Sequence, residues 1–121
     1  MEDRTCQFGE KIIDFCKLIE QDLISRSIIS QLVRSGTSAG ANYLEANGAS
    51  SKKDFRNKIY ICKKEIQETK HWLTMIERYK PELKNKIEFL RKETQELILI
   101  FGKIASTLQK DKLNIKNSNL N

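Results

Sequence analysis

The chain has little of what most fold classes need. One proline and five glycines in 121 residues are too few for a β-sandwich or barrel, which calls for a turn signal every 8 to 12 residues or so. One histidine excludes an intrachain di-iron bundle site. That site needs two Glu-x-x-His motifs with two further glutamates on facing helices, so Glu68-Thr-Lys-His71 alone reads as surface. The same shortage leaves no Ser-His-Asp or Cys-His arrangement with a positioned orienter. Three cysteines, Cys6, Cys16 and Cys62, are an odd number without Cys-x-x-Cys spacing. Free thiols in a reducing cytosol fit them better than a disulfide frame or a zinc site. No apolar run approaches the roughly 20 residues of a membrane span, and no signal segment opens the chain. A cytoplasmic protein without metal, cofactor or catalytic residues is the expectation.

What is present suits amphipathic helices: 31% charged residues and 39% hydrophobic ones. Phe8, Ile12, Phe15 and Ile19 recur on one helix face, and Asp22 to Arg26 read as a connection. A second helix is expected over about Arg26 to Asn47, entered through Ile28, Ile29, Leu32 and Val33. The third alternates steps of four and three through Phe55, Ile59, Cys62, Ile66, Thr69, Leu73 and Ile76. Ser51-Lys-Lys-Asp54 marks its start as a capping box with Asp for Glu. Pro81 ends it or opens the next helix. The fourth runs through Ile87, Leu90, Thr94, Leu97, Phe101, Ile104 and Leu108. Such spacing with short connections predicts an all-α, up-down-up-down antiparallel four-helix bundle over residues 1–110, with 111–121 as a flexible tail.

The second helix carries the unusual stretch. Gly36-Thr-Ser-Ala-Gly40 lacks the following Lys-Ser/Thr and the preceding strand of a phosphate-binding loop. As helix it is thin on nearly all sides. Each interior glycine costs about 0.8–1.0 kcal/mol relative to alanine, a loss that close approach of a neighbouring helix offsets. Gly48 is then expected as a left-handed C-cap. Arg34, Asn42 and Glu45 lie among apolar neighbours, and Glu65 and Glu68 interrupt an apolar stripe of the third helix. Structural pairing of these polar groups is expected, with Arg34 partly buried against a carboxylate of that helix.

Charge is uneven. The chain carries a net +6, and residues 52–92 hold 13 Lys/Arg against 6 Asp/Glu. Lys52, Lys53 and Arg56 cluster at the start of the third helix, with Lys63, Lys64 and Lys70 further along. Lys84, Lys86, Arg91 and Lys92 form a second set at the start of the fourth. Such clusters suit a nucleic-acid partner, against the alternative of a solvated helix face. Little aromatic interleaving argues against base stacking.

The run Ser30-Gln-Leu-Val-Arg34-Ser-Gly36-Thr-Ser-Ala-Gly40-Ala-Asn42-Tyr-Leu-Glu45, the Ser51-Lys-Lys-Asp-Phe55 cap and Glu65-x-x-Glu68-x-x-x-Trp72 together resemble a known family. It comprises small bacterial four-helix-bundle proteins related to those encoded in intervening sequences of large-subunit ribosomal RNA genes. Its superfamily includes the accessory variability determinant of diversity-generating retroelements. The resemblance implies a homopentamer arranged as a barrel-like ring, without enzymatic activity, that binds RNA or DNA through basic surface. Retroelement members bind a reverse transcriptase, so the resemblance also implies an alternative: a protein-interaction adaptor with no direct nucleic-acid role.

Overall fold

The computed structural model describes the backbone of residues 1–120 and the side chains of residues 1–116. Four helices follow one another: α1 (Glu2–Cys16), α2 (Leu23–Asn47), α3 (Lys52–Tyr79) and α4 (Lys84–Leu120), with one 3-10 turn at Pro81–Leu83 before α4. Each packs on the next, and α4 returns to touch α1. Numbers rise on one helix as they fall on its neighbour. Between α2 and α3, Glu45 meets Lys58, Ala39 meets Cys62 and Ser35 meets Thr69. Between α3 and α4, Tyr60 meets Gln109, Lys70 meets Gln95 and Glu77 meets Arg91. The chain is an antiparallel up-down-up-down bundle.

The apolar faces expected from spacing form its core. Phe8, Ile12, Leu32, Ile59, Ile66, Leu73, Ile76, Ile87, Leu97 and Phe101 are fully buried. Thr69 and Thr94 are equally buried, and each hydroxyl donates to a carbonyl one turn back, Glu65 at 2.9 Å and Leu90 at 2.7 Å. That bond removes the penalty of an unpaired buried hydroxyl. The thin stretch of α2 packs on α1. A Cβ built on Gly36 would lie 2.9 Å from Ile12, and one on Gly40 would lie 3.4 Å from the Thr5 backbone. Gly9 supplies the matching gap on α1, where a Cβ would meet Gly36 and Thr37 at 3.5 Å.

Two features differ from the sequence expectation, the start of α2 and the form of its C-cap. Residues 22–26 are not a connection but the start of α2. The Asp22 carboxylate accepts from the Ile24 and Ser25 amides at 3.0 and 2.8 Å. Ser25 Oγ accepts from the Asp22 amide at 2.9 Å, closing a capping box with Ser in the usual Glu position. Exposed Leu23 and Ile24 hide this start from a hydrophobic pattern. Gly48 ends α2 with φ −95° and ψ 9°, outside the left-handed region, so the C-cap expected there takes another form. Its amide donates to the Glu45 carbonyl at 3.1 Å in a tightened last turn. The α4 helix runs on to Leu120 through the segment expected as a tail (111–121), with no Pro or Gly to interrupt it. Its Lys110 to Lys116 side chains are exposed, and Asn121 lies outside the described residues.

Candidate nucleic-acid interface

Ser51 sets the geometry of the main basic site. Its Oγ accepts from the Asp54 amide at 3.0 Å, which starts α3 at Lys52. Lys52 and Arg56 then stand one turn apart on one face. The continuation of α4 past Lys110 runs beside them. Together they line a groove of about 460 Å³ with Ser51, Phe55, Leu108, Asp111, Lys112 and Ile115. Lys52, Arg56 and Lys112 take part in no ion pair among the described residues. The free amides of the α3 N-terminus add partial positive charge to the same end. Lys112 was missed by sequence reasoning. Its signal was the pair Leu108 and Ile115, seven residues apart, which carries the α4 face past the expected end.

The other basic candidates are scattered. Lys53 and Lys64 are exposed on α3. Lys63 is half-buried, with its stem toward Gly102, and the Lys70 ammonium donates to Gln95 at 2.8 Å. Arg91 is committed to the carboxylates of Glu77 and Glu88. Its charge is therefore neutralised, and it is unsuited to a phosphate. Lys84, Lys86 and Lys92 are exposed. Lys84 and Lys86 stand at the far end of α3 from Lys52, roughly 40 Å away at about 1.5 Å per residue. The two sets, separate in sequence, thus also stand apart in the fold.

The polar residues singled out on α2 divide as well. Arg34 donates to Glu65 at 2.9 Å and to Glu68, and its Nε donates to Gln31 at 3.0 Å. The guanidinium holds the Glu68 carboxyl below the usual carboxylate range and is itself pushed up by the pair. Its side chain is 43% exposed, so the clamp lies at the surface rather than partly buried as expected. Glu45 pairs with Lys58 at 2.6 Å, which raises the Lys58 ammonium. Asn42 donates to the Ser38 carbonyl of its own helix at 2.9 Å. A further clamp, absent from the sequence reading, joins Arg4 of α1 to Glu93 at 2.9 Å and Glu96 at 2.6 Å on α4. The ion pairs among these contacts fasten neighbouring helices.

Among the described residues, no group of three His, Cys, Asp or Glu side chains could hold a metal, and no helix is long and apolar enough to cross a membrane.

Comparison with known proteins agrees with this architecture. A family model described as 23S rRNA-intervening sequence protein matches residues 2–103. The crystal structure of a protein of unknown function from the S23 ribosomal protein family of Bacteroides thetaiotaomicron is similar, at 30% identity and a TM-score of 0.77. The match covers 86% of this chain and 96% of that one. No curated protein matches the chain.

Proposed function

The chain belongs to the 23S rRNA-intervening sequence protein family, and on that premise we propose that it is a non-enzymatic scaffold that binds RNA or DNA through basic surface. The observation that carries this reading is the groove of Lys52, Arg56 and Lys112, which take part in no ion pair among the described residues, while Arg34 and Arg91 are held by carboxylates. Cations there would neutralise phosphates and release the counterions condensed on the nucleic acid, without any reading of base identity. Phe55 is the one aromatic in the groove, so stacking is a small part of it.

Three cations make a weak site alone. A homopentamer, the assembly suggested by the family resemblance, would present the groove five times and convert modest contacts into avidity. The test is titration of fluorescent RNA and DNA oligomers at low ionic strength. Binding that falls steeply with added salt supports the reading, and absence of binding at low salt contradicts it. In that second event a protein partner, such as a reverse transcriptase, becomes the better account.

A further inference from the structure

We infer that the groove between α1 and α2 is the docking site for α4 of a second copy of this chain. The inference rests on the self-association reading and names the surfaces that reading leaves open. The groove has a volume of about 460 Å³, and its charged lining is wholly acidic: Glu2, Asp3 and Glu10, with no Lys or Arg. The partners of these acids are neutral. Asn47 donates to Glu2 at 2.9 Å and the Cys6 thiol to Glu10 at 3.3 Å, so no ion pair among the described residues compensates the negative charge. Gly9 and Gly40 keep the floor low, and Ile13 and Leu44, 40% and 63% exposed, form apolar walls. A slim, acidic, apolar-walled groove fits a helix that carries leucine and lysine.

The same chain exposes one. Arg4, near the start of α1, holds Glu93 and Glu96 in the first half of α4, so the face of α4 on the α1 side is left open further along. There Leu99 and Leu113 are 64% and 48% exposed. With exposed Ser106 between them they repeat every seven residues and share a face. Lys103 and Lys110, also exposed, stand seven residues apart on its flank. Asp3 and Glu10 have that same separation on α1, about 10.5 Å along either helix axis. Two lysines therefore match two carboxylates in register, with leucines toward the apolar walls and a serine where backbones come close.

Charge across the whole chain points the same way. Residues 1–51 carry five Lys/Arg against seven Asp/Glu, and residues 52–121 carry seventeen against nine. Opposite faces of one chain are complementary, and like faces repel. Contact between two different patches is heterologous, the geometry that closes into a ring when its rotation permits.

Sedimentation equilibrium of full-length wild type and three exposed-charge variants tests this docking. Asp3→Lys with Glu10→Lys, and separately Lys103→Glu with Lys110→Glu, should each weaken assembly at least about tenfold, since like charges then face across the interface. Combining all four substitutions restores opposite charges and should return assembly to within about threefold of wild type. Helical content and melting temperature of each variant report folding independently. A wild type that stays monomeric at 100 µM or so overturns the self-association reading itself. A wild type that assembles, with both double variants unaffected or the quadruple variant still dissociated, overturns the docking alone.

Discussion

Gly36 lies directly against Ile12: a Cβ added to the glycine would sit 2.9 Å from Ile12 Cγ1 and 3.0 Å from Cγ2. Neither atom is the far end of a flexible side chain, so the clash has no easy relief. Gly36→Ala should destabilise the protein by about 1 kcal/mol, the cost of overpacking less the helix propensity that alanine restores. In an Ile12→Ala background the obstructing atoms are gone, and the same substitution should stabilise. Urea denaturation of the four proteins checks this change of sign. Gly48 is the contrast, since a Cβ there meets only helix carbonyls at 3.8 Å or more and φ is negative. Gly48→Ala should be neutral or stabilising by up to about 1 kcal/mol.

Acid should weaken the helix clamps in a defined window. Glu68 is held below its ordinary value of 4.5 by Arg34, and Glu93 below 4.5 by Arg4. Asp22 is held below 3.8 chiefly by the Tyr79 hydroxyl, which donates to it at 2.6 Å. A carboxyl depressed in the folded state contributes stability that is present above its unfolded value and lost as pH falls through the folded one. Stability measured by urea should therefore decline below about pH 4.5. Arg34→Gln and Arg4→Gln should lower stability at pH 7 and flatten that decline. Equal acid sensitivity in the variants would show the clamps to be inert, as many surface pairs are.

Thiol reactivity should separate one cysteine from two. Burial pushes Cys16 up to about 11 and Cys62 up to about 12, while Cys6 is exposed. Glu10, through the bond it accepts, also raises Cys6. Mild alkylation of the native protein near pH 8 should then modify Cys6 alone and slowly, because the thiolate is the reactive form. Glu10→Gln should speed it, and denaturant should open all three sites to the reagent. Peptide mass spectrometry gives the count at each site.

Much of this bundle was legible in spacing. Phe8, Ile12, Ile59, Leu73 and Leu97 occupy the core positions that steps of three and four assign them. Ser51 caps α3 from a local signal that needs no tertiary context. What spacing did not reveal is in one case a local cap without an apolar signal and otherwise depends on what stands opposite. Leu23 is 85% exposed, so the beginning of α2 is fixed by Asp22 and Ser25 rather than by an apolar face. Asparagines after Lys110 suggest a frayed end, but α4 there runs beside Phe55 and Arg56 in the same groove. Arg91 looks like any cation in sequence, and only the fold brings Glu77 against it. Gly9, alone in α1, carries no signal without Gly36 and Thr37 across from it.

The most direct measurement is the salt dependence of oligonucleotide binding for wild type, for Lys52→Ala/Arg56→Ala/Lys112→Ala and for Arg91→Ala. Each phosphate contact removed reduces the slope of log affinity against log salt by about 0.7 to 0.9. The account predicts a steep slope for wild type, a slope shallower by about two to three in the triple variant, and an unchanged slope in Arg91→Ala. Equal slopes for wild type and the triple variant, or a loss confined to Arg91→Ala, would contradict it.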